Sequence, residues 1–345
     1  MIKYFIFTLS YISYLCLRRY PSVSLVYVTA IWTIAFGLKS ENYGVDIIYY
    51  FKIFSDPYLY QIDEPALKVL NAGISSISEQ YIFFSLVYAL IVNGLLGLLM
   101  YSIDKKNAAL YFIFFTTTFV FYQINLNIFR QGVSVILLLL GLQVFSRNKL
   151  ISLGVVLLSI LFHKAAIFGL LLFSGYFLRI NKAMILVAVI LMIFPVGGLV
   201  EQITNAAIGV FGIFERTLSA YTDMANSGLI KESSMNHRNL PLLLSASLLL
   251  FCDKDKLEKN NVLLIAFFIP IVASSFFATN VLIYDRIIIY SQILQPFVLY
   301  LALNAKYSKV GAIVYIMIII LQLLFTVSFW GPRNDMGDFV FYPFV

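Results

Sequence analysis

Apolar runs of membrane length alternate with short polar stretches along almost the whole chain. A run of roughly 20 predominantly apolar residues can cross a bilayer as an α-helix, and by this criterion the pattern predicts about twelve spanning segments (11 to 13). They occupy residues 2–17, 22–38, 81–103, 108–122, 128–145, 150–162, 165–178, 183–200, 238–251, 261–278, 283–303 and 311–330. The predicted fold class is therefore all-α, a polytopic transmembrane helical bundle that forms a single integral membrane domain over residues 1–345.

Two longer polar stretches, residues 39–80 and 201–237, interrupt this pattern. We predict that they are the two larger extracytoplasmic loops. Within the first loop, apolar residues recur at helical spacing directly after Pro65, and proline is well tolerated in the first turn of a helix. The spacing predicts a short amphipathic helix that lies along the membrane surface.

The apolar run over residues 150–178 allows two interpretations. As one helix it would be about 43 Å long at roughly 1.5 Å per residue, which exceeds an untilted span of about 30 Å. The polar pair His163-Lys164 interrupts the run and favours two shorter helices, 150–162 and 165–178, that meet at a turn. A single long helix is the alternative.

The distribution of charge favours the two-helix interpretation. With two crossings, all the short loops on one face carry 13 Lys and Arg against four Asp and Glu, and the rest of the chain carries 11 against 13. Cytoplasmic loops of membrane proteins are enriched in Lys and Arg. The cationic face is therefore predicted to be cytoplasmic, with both termini and both long loops outside.

Composition excludes several classes of function. The chain is 61% hydrophobic and 12% charged, whereas a soluble domain is about half apolar and a quarter charged. The positive-inside rule accounts for the net charge of +7 without a nucleic-acid partner. Neither a P-loop nor a His-Glu-x-x-His motif is present.

Cations at the outer ends or inside of the apolar runs are the candidate functional residues. Such groups are costly in a membrane and therefore suggest a site, although a snorkelling cation at a helix end is the alternative for each arginine. Several arginines and a lysine would suit a polyanion such as a pyrophosphate. A histidine, His163 or His237, would serve as a general base, and Asp46, Asp63 or Glu64 would do the same or hold sugar hydroxyls.

Short motifs in a fixed order make the chain similar to a known family. They are Gly44-x-Asp46, Tyr49 with Phe54, Glu64-Pro65, Phe129-Arg130-Gln131-Gly132, Phe162-His163-Lys164-Ala165-Ala166, Asp285-Arg286 with Tyr290, and Tyr342-Pro343. In this order they resemble the EpsG-like group of Wzy-type polysaccharide polymerases. Gly132 departs from the pattern, because other members often have a larger apolar residue there.

The resemblance implies a membrane glycosyltransferase of polysaccharide biosynthesis, for O-antigen, capsule or exopolysaccharide. Such enzymes transfer a growing glycan from undecaprenyl pyrophosphate to the non-reducing end of another lipid-linked repeat unit. It implies a multi-pass protein of the bacterial inner (cytoplasmic) membrane whose active site faces the periplasm or cell exterior. No cofactor and no metal are expected. The expected partners are the undecaprenyl-pyrophosphate-linked oligosaccharide, membrane lipid and a chain-length regulator protein.

The resemblance also suggests a role for each candidate residue. The donor pyrophosphate would be held by Arg130, Lys164, Arg216, Arg238 and Arg286. The catalytic residues would be His163, His237 and Asp46, with the choice between the two histidines left open. The glycan would contact Glu64, Gln131 and Tyr290.

Two other functions remain open at this stage. A flippase or transporter of lipid-linked oligosaccharide would be expected to show an internal repeat, and the sequence shows no clear one. The other alternative is a related membrane transferase, such as a glycan ligase or an acyltransferase.

Overall fold

A computed structural model describes residues 2–41, 43–44, 46–56, 64–196, 239–278, 281–304 and 308–326. In these ranges the regular secondary structure is helical, which confirms the all-α prediction for the described part of the chain. The chain divides into two compact units, one made of Met1–Leu170 and Ile316–Val345 and the other of Leu171–Tyr315. Each unit is considered by itself.

Most helices in the described residues are apolar, and most are short. By length and composition, Tyr81–Ile103 and Ile283–Leu303 could each cross a membrane, and a bent pair of helices could form a third span. Nine further apolar helices have 10–17 residues. These features agree with a helical membrane protein, and the total of about twelve spans remains a prediction.

The described residues of the first unit contain nine complete α-helices. They are α1 (Ile2–Leu17), α2 (Pro21–Gly37), α3 (Ile47–Ser55), α4 (Pro65–Ser75), α5 (Tyr81–Ile103), α6 (Ala108–Thr116), α7 (Phe119–Leu126), α8 (Phe129–Phe145) and α9 (Lys149–Phe162). Aromatic side chains fill part of the core, where the rings of Trp32 and Phe121 meet edge to face at 5.2 Å between centroids.

The first predicted loop contains α3 and α4. Helix α4 begins at Pro65, in the first turn as predicted, and buries Leu67, Asn71 and Ile74 while Val69 is exposed. The amphipathic helix is thus confirmed. Its place on the outer membrane surface remains a prediction, and the second predicted loop, 201–237, lies outside the described residues.

One predicted span is wrong in its shape. Residues 108–122 form two helices, α6 and α7, whose axes are bent by 82°. Three consecutive threonines, Thr116, Thr117 and Thr118, end α6 by donating their hydroxyls to carbonyls three residues earlier. The Thr118 hydroxyl also accepts the Phe121 N–H and so caps α7. Side chains that compete for backbone groups therefore produce the bend.

Helices α8 and α9 form an antiparallel hairpin around residues 146–148. The Ser134 hydroxyl donates to the Ser159 carbonyl at 2.9 Å, and the Ser159 hydroxyl donates to the Ser134 carbonyl at 2.7 Å. Nearer the turn, the Ser152 hydroxyl donates to the Gly141 carbonyl at 2.7 Å. Small and hydroxylated residues allow apolar helices to approach closely and hydrogen bond.

The hairpin has one constant register. Ser134 and Ser159 are equally far from the point between Ser146 and Arg147, and so are Gly141 and Ser152. Arg130 and His163 continue the same series beyond the serine pair. The packing of α8 on α9 therefore brings the first turn of one helix beside the end of the other.

The predicted interruption at His163-Lys164 is present. Helix α9 ends at Phe162, and His163 has an extended backbone with φ −159 and ψ 119. The segment Lys164–Tyr176 that follows is a 3₁₀-helix rather than the predicted α-helix. The hairpin path across the membrane remains a prediction.

The second unit contains further helices, and all but the charged helix Lys254–Lys259 are apolar. They are α10 (Lys182–Ile193), α11 (Leu240–Leu248), α12 (Lys254–Lys259), α13 (Asn261–Ser275) and α14 (Val281–Leu303), while α15 (Ser308–Phe325) starts in this unit. The Ser291 hydroxyl donates to the Phe267 carbonyl at 2.6 Å and joins α14 to α13. The Asn261 amide donates to the carbonyls of Gly175 and Leu178, both at 2.7 Å.

Candidate functional site

Three ionisable side chains meet at the open end of the α8–α9 hairpin. Arg130 Nη1 donates to Glu64 Oε2 at 2.7 Å, and His163 Nδ1 lies 3.4 Å from Glu64 Oε1. Each carboxylate oxygen thus faces a different partner. We call Glu64, Arg130 and His163 the Glu64 cluster.

The start of helix α4 presents the carboxylate. Glu64 occupies the N-cap position of α4 with an extended backbone, but its side chain makes no capping hydrogen bond. It turns instead towards the hairpin. Leu67 is fully buried, and Asn71 Oδ1 accepts the Tyr88 hydroxyl at 2.6 Å. The helix that carries Glu64 is therefore anchored on α5, which fixes where the carboxylate stands.

Aromatic residues hold Arg130 from two other helices. The Arg130 guanidinium carbon lies 5.7 Å from the centroid of the Tyr50 ring, a cation–π distance. The Tyr50 hydroxyl donates to the Asn127 carbonyl at 3.2 Å, just before α8. Phe129 stacks on Tyr88 with 3.9 Å between ring centroids. Helices α3 and α5 therefore restrict the backbone and the side chain around Arg130.

Electrostatics keeps the carboxylate ionised. Burial alone would raise the pKa of Glu64, but the His163 hydrogen bond and the charge of Arg130 outweigh it and hold the pKa below its usual value. The side chains of Arg130 and His163 are 28% and 23% exposed, against 11% for Glu64. The carboxylate is thus the inner group, and both of its partners have surface left for a ligand.

The other predicted residues of this unit lie around the cluster in different roles. Asp46 is the residue before α3, and its backbone N–H donates to Asn127 Oδ1 at 3.4 Å, next to the contact that Tyr50 makes. Gln131 is buried in α8. Lys164 is exposed at the start of the 3₁₀-helix.

The remaining candidates lie elsewhere. Arg286 and Tyr290 belong to α14 of the second unit, where Tyr290 is buried and Arg286 is half-buried. Asp63, Arg216, His237 and Arg238 lie outside the described residues. Within the described ranges, no three His, Cys, Asp or Glu side chains could share a metal ion. The metal-independent chemistry expected above remains a prediction.

Sequence reasoning named all three cluster residues but not the link between them. Glu64 was assigned to the glycan, and nothing in the sequence shows that it would meet both Arg130 and His163. The paired small residues around the 146–148 turn were a usable signal for Arg130 with His163. The structure also explains why position 132 is a glycine, because a Cβ there would clash with the Ile124 side chain of α7.

Comparison with known proteins identifies one family. The model of the EpsG family matches residues 22–344. The matched range includes the Glu64 cluster and every other candidate residue named above. No curated protein and no solved structure gives a significant match.

Proposed function

The chain belongs to the EpsG family of polysaccharide-polymerase-type membrane proteins, and from this premise we propose that it polymerises lipid-linked oligosaccharide repeat units. The growing glycan is transferred from undecaprenyl pyrophosphate to the non-reducing end of another undecaprenyl-pyrophosphate-linked repeat unit. In this reaction an acceptor hydroxyl oxygen bonds to the anomeric carbon of the donor. The bond from that carbon to the pyrophosphate breaks, and the hydroxyl loses its proton.

The observation that carries the proposal is the convergence of Arg130 and His163 on Glu64. The reaction needs a cation at the leaving pyrophosphate and a base at the acceptor hydroxyl, and the cluster contains one of each. It also holds them in fixed positions, which is the condition for electrostatic stabilisation of a transition state.

Arg130 is assigned to the pyrophosphate. A guanidinium has five N–H donors, and Glu64 accepts from one Nη1 of Arg130. Tyr50 is a second hydrogen-bonding partner of the guanidinium, and the remaining donors lie on a side chain that is 28% exposed. Charge-assisted hydrogen bonds from them would stabilise the negative charge that develops as the pyrophosphate leaves.

His163 is assigned to the acceptor hydroxyl, and Glu64 to positioning. If Nδ1 carries the proton that faces Glu64, Nε2 keeps its lone pair and accepts the hydroxyl proton. A carboxylate that fixes the tautomer and stabilises the imidazolium is a known arrangement in other enzymes. We therefore assign Glu64 to holding Arg130 and His163 rather than to contacting the glycan.

The wider set of residues extends this proposal. Lys164, Arg216, Arg238 and Arg286 are proposed to add cations for the pyrophosphate, Asp46 and His237 further catalytic groups, and Gln131 and Tyr290 glycan contacts. The proposed location is the bacterial inner membrane, with the site facing the periplasm or cell exterior. The proposed partners are those that the resemblance implies.

Reconstitution with synthetic undecaprenyl-pyrophosphate repeat units tests the proposal. The purified protein should produce a ladder of glycan lengths, and Arg130→Ala should abolish it while the variant accumulates in the membrane normally. Arg147→Ala is the matched control, because Arg147 is exposed at the other end of the same hairpin. A single transfer without a ladder would indicate a ligase, and no covalent product would favour a flippase. A full ladder from Arg130→Ala would refute the assigned role.

A further inference from the structure

A second group of cations lines a pocket where α5 ends. The connection between α1 and α2 forms one side, and the connection between α5 and α6 forms the other. The lining residues are Tyr14, Arg18, Arg19, Pro21, Ser24, Lys106, Asn107 and Ala109. We call this the basic pocket. Its volume is about 320 Å³, far above the ~15 Å³ that one ordered water needs.

In the part of the chain that the structure describes, no carboxylate balances the positive charge of the basic pocket. Within the described ranges, no acidic side chain forms an ion pair with Arg18, Arg19 or Lys106. Asp104 is the acid nearest to Lys106 along the chain, but its carboxylate oxygens accept hydrogen bonds from neutral groups. Oδ1 accepts the Lys106 backbone N–H at 3.0 Å, and Oδ2 accepts the Asn107 amide at 2.7 Å and the Tyr111 hydroxyl at 3.0 Å.

A buried hydroxyl in the lining also lacks a partner. Ser24 is fully buried, and its Oγ has no hydrogen-bond partner among the residues that the structure describes. Buried polar groups are usually hydrogen-bonded, and leaving one unsatisfied costs free energy. A ligand with several oxygen atoms would provide hydrogen-bond acceptors for this hydroxyl and for the three cations.

Next to the pocket along the chain, the surface is apolar and exposed. Leu15 and Val23 are each 44% exposed, and Tyr20 is 65% exposed. Exposed aliphatic residues with an aromatic ring and cations beside them are typical of the headgroup level of a membrane protein. The ligand that fits this surface has an anionic head and an apolar body.

We propose that the basic pocket binds the phosphate of an anionic phospholipid, such as phosphatidylglycerol. Arg18, Arg19 and Lys106 contact the phosphate oxygens, and the acyl chains lie against the exposed apolar residues. Basic pockets between membrane helices on the cytoplasmic side recognise such headgroups. The basic pocket and the Glu64 cluster share no residue, so this proposal does not rest on the proposed reaction.

Lipid retention measured by native mass spectrometry tests this proposal. The wild-type protein, purified with phosphatidylglycerol, should retain one more lipid than the Arg18→Ala/Arg19→Ala/Lys106→Ala variant. At about 1 kcal/mol for each cation near an anionic lipid, the variant should bind on the order of 100-fold more weakly. The single Lys106→Gln variant should show roughly a fivefold loss on the same basis, and it provides a second measurement where the triple variant folds poorly.

The charge-matched control removes three exposed cations from the same predicted face, as Arg147→Ala/Lys254→Ala/Lys259→Ala. It should retain lipid like the wild type, and phosphatidylcholine should not replace phosphatidylglycerol. Equal losses in the two triple variants would overturn the proposal, because general surface charge would then explain binding. Equal thermal stabilisation by phosphatidylglycerol and by free glycerol 3-phosphate at matched ionic strength would also overturn it, since the site would then bind a soluble anion.

Discussion

The Glu64 cluster and the basic pocket both contain basic side chains, but only those of the cluster are held by a carboxylate. In the cluster, a buried carboxylate accepts from Arg130 and faces His163. Beside the pocket, the Asp104 carboxylate accepts only from neutral groups. Of the residues that line the pocket, Arg18, Arg19 and Lys106 form no ion pair in the described residues. A cation held by a protein carboxylate has a fixed position before any ligand arrives. Cations without such a partner receive their balancing negative charge from the ligand.

Position along α5 separates the two groups. The cluster lies near Tyr88, whose ring stacks on Phe129 beside Arg130, and the pocket lies at the C-terminal end of the helix. The stretch of α5 between these levels is about 23 Å long at roughly 1.5 Å per residue. That is comparable to a bilayer core of about 30 Å. The comparison therefore pairs a preorganised cluster near one predicted surface with the proposed lipid site near the other.

Removal of the central carboxylate should have the largest effect. Glu64→Ala leaves Arg130 and His163 without their common partner, and we expect the rate of ladder formation to fall by roughly 100-fold or more, as for other carboxylates that orient a catalytic histidine. The loss should appear in kcat rather than in KM, because the positioning acts on the reacting groups. Initial rates over a range of donor concentrations measure both constants.

Glu64→Asp sharpens this test. A shortened carboxylate should restore part of kcat, whereas Glu64→Gln should not, because only the charged group balances Arg130. A Glu64→Gln variant as active as the wild type would show that the carboxylate charge is unimportant. The cluster and the basic pocket would then differ less than the geometry suggests.

Stability should separate paired cations from unpaired ones. Arg130→Ala leaves the Glu64 carboxylate buried without its cation, and we expect the free energy of unfolding to fall by about 1–3 kcal/mol. Lys106→Ala removes one of several like charges, so in detergent without anionic lipid it should cause no loss. Chemical unfolding of both variants measures the difference. Equal destabilisation by the two substitutions would contradict the comparison.

Stability should also depend on pH through Glu64. Its pKa is lower in the folded protein than the usual 4.5, so the folded state favours the ionised form. The resulting stabilisation is complete above pH 4.5 and is lost as the pH falls through the lowered pKa. Thermal unfolding of the wild type and of Glu64→Gln should therefore differ at neutral pH and converge in acid. A constant difference at all pH values would show that another interaction is responsible.

Local sequence patterns predicted many of the helices, but they could not predict contacts between residues far apart in the chain. The helix after Pro65 and the break at His163 follow from residues close in sequence, and both are present. The contact of Glu64 with Arg130 joins residues far apart in the chain, so no local periodicity reports it. The threonine bend after α6 was missed because Thr116 to Thr118 are apolar enough to continue a run.

The same limit applies to charge. The positive-inside pattern treats Arg18, Arg19 and Lys106 as evidence for topology alone. The pattern cannot show that Asn107 and Tyr111 donate hydrogen bonds to the Asp104 carboxylate, because those bonds depend on how the chain turns between α5 and α6. The role of each cation therefore depends on contacts that composition does not contain.

The smallest effect is expected from the hydroxyls that set the hairpin register. Ser134→Ala and Ser159→Ala each remove one of two reciprocal hydrogen bonds between α8 and α9. Such bonds contribute about 0.6 kcal/mol on average in membrane proteins, and up to about 1.7. The two single effects should not be additive, because each serine uses the other's backbone and hydroxyl. Unfolding of the single and double variants measures this coupling.

Since the register places Arg130 beside His163, the double variant should also slow ladder formation while lipid retention in the basic pocket stays unchanged. If the double variant loses both ladder formation and lipid retention, the two sites depend on the same packing and cannot be compared as independent sites.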